Sequence, residues 1–231
     1  MTTVATTAVI GNPRMSRVFA STSTDGIYNN QNDSVTSTAI GLSMPNQTIS
    51  YIQATQATGL GVWRILSSTT NQVIRQGFTA KTGYTCPASS AIAPLAIMPD
   101  YLFQVYTLAA DATANQTNVL ALIDTNRGRE AFIAQNVANA TLTPLVSLIS
   151  NLGLGDLLFG STMNKVQVQG EAGMFLTNMT VVLGDGGTVM TQTGSVRLPT
   201  AGGKSALTNG VFNMNIALAK GMALNVTTVS A

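Results

Sequence analysis

A period of two runs through the second half of this chain. Phe175, Thr177, Met179, Val181 and Leu183 fall on alternate positions, as do Phe212, Met214, Ile216 and Leu218. Successive side chains of an extended strand point to opposite faces, so this spacing commits each stretch to a strand with one buried face. Val166 and Val168 share the period, and it resumes after Lys220-Gly221 with Met222, Leu224 and Val226. "GDGG", Gly184 to Gly187, has turn chemistry. Over 163–231 the sequence therefore predicts a one-faced antiparallel meander, with its last two strands paired around Lys220-Gly221.

The region 46–124 also reads as strands. In "TISYIQA", Ile49 and Tyr51 alternate with Ser50 and Ile52. "GVWRILSS" and "QVIRQGFTA" flank the short connection "TTN", and "YLFQVYTLAA" and "TNVLALIDT" lie on either side of "DATANQ". "CPASSAIAPLAIMPD" carries Pro87, Pro94 and Pro99, which exclude a central strand or a helix and predict a crossover. Residues 1–45 read as an N-terminal arm and loops, with one short strand at "TAVIG".

Between the strand sets the period changes. Thr143 suits a helix N-cap and Pro144 the first helical position. Leu145, Leu148, Ile149 and Leu152 follow helical spacing, and Gly153 suits the residue past the C-cap, which predicts a helix over 143–152. "REAFIAQNVA" fits a helix or a strand. The expected fold is all-β: antiparallel β-sandwich or jelly-roll-like strand sets over 46–126 and 163–231, with a short helical insert within 127–162.

Charge is scarce. Asp, Glu, Lys and Arg make up 9 % of the 231 residues, against roughly 25 % in ordinary globular domains. Thr, Asn, Gln, Ser and Gly take their place. The 11 basic and 9 acidic residues leave a net charge of +2 without a basic stripe, and Arg14 and Arg17 are the only basic residues among the first fifty. Phosphate neutralisation needs clustered cations, so nucleic acid is not an expected partner. No apolar run is long and unbroken enough for a bilayer, and "MTTVATTAVIGNPRM" lacks the features of a secretion signal, so neither membrane nor export is expected. An uncharged polar surface has weak electrostatic protection against self-association. The composition is that of a protein that buries its surface against other subunits, with itself as the first expected partner.

Reactive groups are scarcer still. The chain has no His and one Cys, Cys86, and its only Glu residues are Glu130 and Glu171. This removes imidazole-based triads and shuttles and the usual zinc ligands. The expectation is no enzyme, no cofactor and no metal. "GGKS", Gly202 to Ser205, fails the phosphate-loop pattern because Leu198 stands where a glycine is required. Trp63, Tyr51, Tyr101 and Tyr106 offer a sugar-stacking platform, although core packing is the favoured reading of aromatics in apolar strands.

Two stretches remain as candidate contact sites. "DTNRGREAF" gathers Asp124, Arg127, Arg129 and Glu130, which read as an internally paired turn or as an intersubunit salt bridge. "LISNLGLGDLLFG" holds more Leu and Phe than a short helix can hide beneath itself. The candidate subunit contacts are Arg14, Arg17, Arg127, Arg129, Glu130, Leu157, Leu158 and Phe159.

Absent His, a single Cys, little charge, abundant Thr, Asn and Ala, and strand-rich halves together resemble the virion proteins of tailed bacteriophages. Small β-sandwich decoration (cement) proteins of icosahedral capsids are the nearest class. The resemblance lies in composition along the whole chain and carries over no site residues. It implies a non-enzymatic protein that stabilises a shell through contacts with itself and a major capsid protein, assembled in the host cytoplasm and released by lysis. Tail-tube proteins and jelly-roll coat proteins share these features, and a glycan-binding host-attachment module is the alternative from another class.

Overall fold

The computed structural model describes residues 3–12, 15–24, 40–41, 47–56, 61–81, 91–107, 116–138, 140–148, 150–170, 174–197 and 211–230. Arg14, Cys86, Glu171 and the "GGKS" stretch lie outside them. The protein is all-β, 70 % strand and 3 % helix. It divides into two compact units, residues 1–110 with 201–204, and 111–200 with 205–231.

The first unit contains β1 (Thr3–Asn12), β2 (Met15–Thr24), β3 (Ile40–Gly41), β4 (Thr48–Gln56), β5 (Gly61–Ser67), β6 (Val73–Phe78), β7 (Ala80–Lys81), β8 (Ala91–Ala96) and β9 (Tyr101–Thr107). One sheet has the order β2-β1-β4-β7, with β8 also pairing β4; the other has the order β3-β9-β5-β6. Ala8, Ile10, Ile49, Ile52, Ala54 and Leu95 of the first sheet share a core with Trp63, Ile65 and Phe103 of the second. Both β5 and β6 form as expected around their short connection.

Three expectations change here. Residues 3–24 are not an arm: β1 and β2 pair from Thr3↔Thr24 to Asn12↔Met15, and β1 pairs β4. Ala8 and Ile10, two positions apart, supply that hairpin's buried side. In β4, Ile49 and Ile52 are both fully buried although an odd step separates them. The ladder with β8 shifts register between Ile49 and Tyr51, which reverses the alternation there. Part of the proline-rich crossover is itself a strand, β8. Among the described residues it pairs only with β4, as an edge strand, where proline is tolerated.

The second unit contains β10 (Gln116–Thr125), β11 (Gly128–Ala138), β12 (Thr143–Pro144), β13 (Val146–Ser147), α1 (Leu154–Leu157), β14 (Thr162–Gly170), β15 (Met174–Val182), β16 (Thr188–Arg197), β17 (Val211–Ala217) and β18 (Ala223–Ser230). Its sheets run β13-β11-β10-β14-β17 and β12-β18-β15-β16. Val119, Ala121, Ile123, Phe132, Val166 and Val168 of the first face Met179, Val181, Leu224 and Val226 of the second across a common core. Each of these Val, Ile, Leu, Phe and Met side chains, fully buried, contributes on the order of 1.5–3 kcal/mol relative to exposure. β10, grouped by sequence with the first strand set, pairs β11 and β14 in this unit.

The predicted helix over 143–152 is absent. Pro144 pairs Asn225 in one sheet, and Val146 pairs Ile133 in the other. Leu145 N–H donates to Leu224 O and Leu148 N–H to Ala131 O, each at 2.8 Å. The three-residue step from Leu145 to Leu148 therefore marks a chain crossing between sheets, with both side chains buried and Leu152 left 43 % exposed. The helix that does form, α1, is one turn further on. "REAFIAQNVA" is strand, within β11. The last two strands are not a paired meander: β17 pairs β14, whereas β18 pairs β12 and β15 in the opposite sheet. Lys220-Gly221 is a turn between sheets, and Gly221 adopts φ +79° there.

Candidate functional site

The charged stretch is the tip of the β10–β11 hairpin. Asp124 is the register partner of Arg129, and Thr125 of Gly128, which leaves Asn126-Arg127 as a two-residue loop. Thr125 Oγ1 accepts from Arg127 N–H and donates to Gly128 O, both at 3.1 Å. Gly128 has φ +148°, a conformation that side-chain-bearing residues rarely adopt. Asn126 ties this loop to the start of β14: its N–H donates to Thr162 O at 3.1 Å, and its Oδ1 accepts from Thr162 N–H at 2.9 Å.

Asp124 occupies the middle of a three-strand row. Arg129 Nη2 donates to Asp124 Oδ2 at 2.8 Å, and Arg129 Nε donates to Oδ1, so the pair is bidentate. Lys165 Nζ lies 3.4 Å from Asp124 Oδ2 from the other side. With its amide turned to match its neighbours, Gln167 accepts from Lys165 Nζ at 2.8 Å and from Arg129 Nη2 at 3.3 Å. One carboxylate and one amide oxygen thus serve two cations.

Lys165 reaches this row because β14 bulges. Its ladder with β10 runs Asp124↔Lys165 and then Thr125↔Met163, two residues on β14 against one on β10. Met163 stays in the core, fully buried, while Lys165 turns to the opposite face beside Asp124. Strict alternation would have placed both on one face.

Arg127 makes a separate contact. Its Nη1 donates to Phe159 O at 3.2 Å and its Nη2 to Gly160 O at 3.0 Å, which pins the turn after α1. Glu130 is placed differently on β11. It is the register partner of core-facing Ile123, so it lies on the opposite face of β11 from Arg129 and opens no helix.

The apolar candidates separate along α1 and its exit. Leu154 is fully buried, Leu157 and Leu158 pack partly buried against the core, and Phe159 is 60 % exposed. Arg17 lies in β2 in register with Ile10. The sugar platform does not assemble around its tryptophan. Trp63 is 2 % exposed and stacks on Phe103 with ring centroids 6.3 Å apart. The Tyr51 hydroxyl donates to Gln53 Oε1 at 2.5 Å.

Sequence reasoning found Asp124, Arg127 and Arg129 and missed Lys165 and Gln167, which the ladder brings in from about forty residues away. Chemically the cluster is a clasp across three strands, and neither a hydroxyl nor a thiol takes part in it. No group of three or more residues suited to hold a metal ion occurs among the described residues, and no helix there is long and apolar enough to cross a membrane. No family model, curated protein or solved structure matches this chain.

Proposed function

We propose that this chain is a non-enzymatic structural component of a bacteriophage particle, a capsid decoration protein that binds a major capsid protein and further copies of itself. The observation that carries this reading is the near-uncharged exterior of two β-sandwich units, 9 % charged residues with a net charge of +2. Charge on a free protein's surface keeps copies apart. Here several of the few charges are engaged within the subunit: Asp124 is shared by Arg129 and Lys165, and Arg127 holds backbone carbonyls. Among the described residues the exposed positions are mostly uncharged, with Thr, Asn, Gln and Ser beside Gly, Ala, Pro and a few large apolar side chains such as Phe159 and Leu142. Such a surface suits close packing against neighbours, through many short hydrogen bonds, better than free solution.

Quantitative mass spectrometry of purified particles from the virus that encodes this chain tests the reading. The expected result is a fixed stoichiometry with the major capsid protein. Stripping the chain with mild denaturant is expected to leave shells that rupture at lower temperature. Absence from particles, or a trace amount, overturns it.

A further inference from the structure

A sheet edge left open is a template for pairing, and proteins that stay single guard their edges with charge, proline or short strands. Most edges here are guarded. β3, β7, β12 and β13 are two residues long; β8 carries Pro94, β6 carries Arg75, β2 carries Arg17 and β16 ends on Arg197. Among the outermost strands of the described residues, β17 is the exception. Its sequence, VFNMNIA, has no charge and no proline over seven residues, and among the described residues it pairs only with β14. Its one irregularity, a register shift against β14 between Met163 and Lys165, leaves its own alternation intact. Phe212, Met214 and Ile216 pack on the core yet stay partly exposed, while Asn213 and Asn215 are exposed on the other face.

The strand is also a chemical palindrome about Met214: apolar, Asn, Met, Asn, apolar. An antiparallel pair of identical strands about a twofold axis sets each residue against its mirror position. We propose that β17 pairs antiparallel with β17 of a second copy, with the axis at Met214. Phe212 then meets the partner's Ile216, extending the partly covered apolar row into a shared core. Asn213 meets the partner's Asn215, where side-chain amides donate and accept in both directions. No like charges oppose, and the two five-stranded sheets run on as one. A parallel pairing would lack this match. The proposal rests on the assembly reading only in taking a second copy as the occupant. Its test needs no particle, so the two can fail separately.

One strand edge is small beside the roughly 1,600 Å² of a standard interface, so the contact is weak in solution and gains strength on a lattice through multivalency. Sedimentation velocity over a concentration series up to about 1 mM is the measurement. The wild-type chain is expected to self-associate. Asn213→Asp with Asn215→Asp sets two pairs of like charges across the axis and is expected to weaken association roughly tenfold. Asn213 lies opposite Lys165 within its own subunit, so a carboxylate there gains a local cation and the fold is retained. Asn213→Asp with Asn215→Lys sets opposite charges across the axis and is expected to recover association. Amide exchange over 211–217 should slow as wild-type concentration rises. A wild-type chain monomeric throughout, a doubly acidic variant that associates like wild type, a charge-paired variant that fails to recover, or exchange at 211–217 indifferent to concentration each overturns the proposal.

Discussion

Lys165 stands beside Asp124, rather than in the core beside Met163, because β14 carries one residue more than β10 between their shared positions. The bulge therefore decides whether an ammonium group is buried or paired. The side chains involved are a quarter to a third exposed, and an isolated exposed pair contributes about 0.2–1 kcal/mol.

For the clasp itself, Asp124→Asn is expected to destabilise the second unit by about 1 kcal/mol, because it strands two cations together. Arg129→Ala is expected to cost less, because Lys165 then takes over the carboxylate. A double-mutant cycle on Asp124 and Lys165, read by urea unfolding at low and at 1 M salt, checks the pairing. A coupling that is zero at low salt would show the contact to be energetically idle.

Gly155 sits where α1 meets the turn before β18. A Cβ there would press into the Ala219 carbonyl oxygen and approach Met222 N to 2.6 Å, both backbone atoms. Gly155→Ala is therefore expected to lower stability by about 1–3 kcal/mol, although alanine is the better helix former. Leu158→Asp, which removes a side chain packed against the core, should destabilise the isolated subunit as well. Phe159→Ser should leave its melting temperature nearly unchanged, since the ring is 60 % exposed. Thermal melts of the three variants separate these outcomes.

Gly77 lies under the indole of Trp63, and a Cβ there would stand 2.5 Å from Trp63 Cε2. Gly77→Ala is expected to displace the ring from its stack on Phe103 and to destabilise the first unit. Trp63 is the only tryptophan, so its fluorescence reports on that unit alone. An emission maximum and a melting temperature identical to wild type would contradict this packing.

Asp100 accepts a hydrogen bond from Ser67 Oγ at 2.5 Å, which is the largest cause holding its carboxyl below the ordinary value. A carboxylate depressed in the folded state adds stability that is complete above its unfolded pKa, near 4, and is lost as pH falls through the folded value. Ser67→Ala is thus expected to destabilise the first unit at pH 7 and to do so less at pH 2. Part of the difference persists in acid, because Ser67 Oγ also accepts from Thr70 N–H at 3.1 Å. Tryptophan-detected melts at the two pH values check the direction, and a gap that widens in acid would refute it.

The strands were legible because alternation is local. Met179 and Val181, or Leu224 and Val226, declare their buried face with no knowledge of a neighbour. The sheet to which each strand belongs is not local. The residues flanking Lys220-Gly221 alternate equally well whether the turn returns within a sheet or passes to the facing one. Leu145 and Leu148 have helical spacing for the same reason: a chain stepping between two sheets buries residues three apart, as a helix does. In the clasp, Asp124 and Arg129 were visible as a charged turn, whereas Lys165 depended on a bulge that no period records.

Two of the crossings between sheets in the second unit have a mechanical consequence. At 144–146 and again at 218–222 the chain passes from one sheet to the other, hydrogen-bonded on both sides. Pulling a strand from one sheet at these points therefore loads the other as well, since one short segment is bonded to both. Force applied at these crossings is shared by both layers.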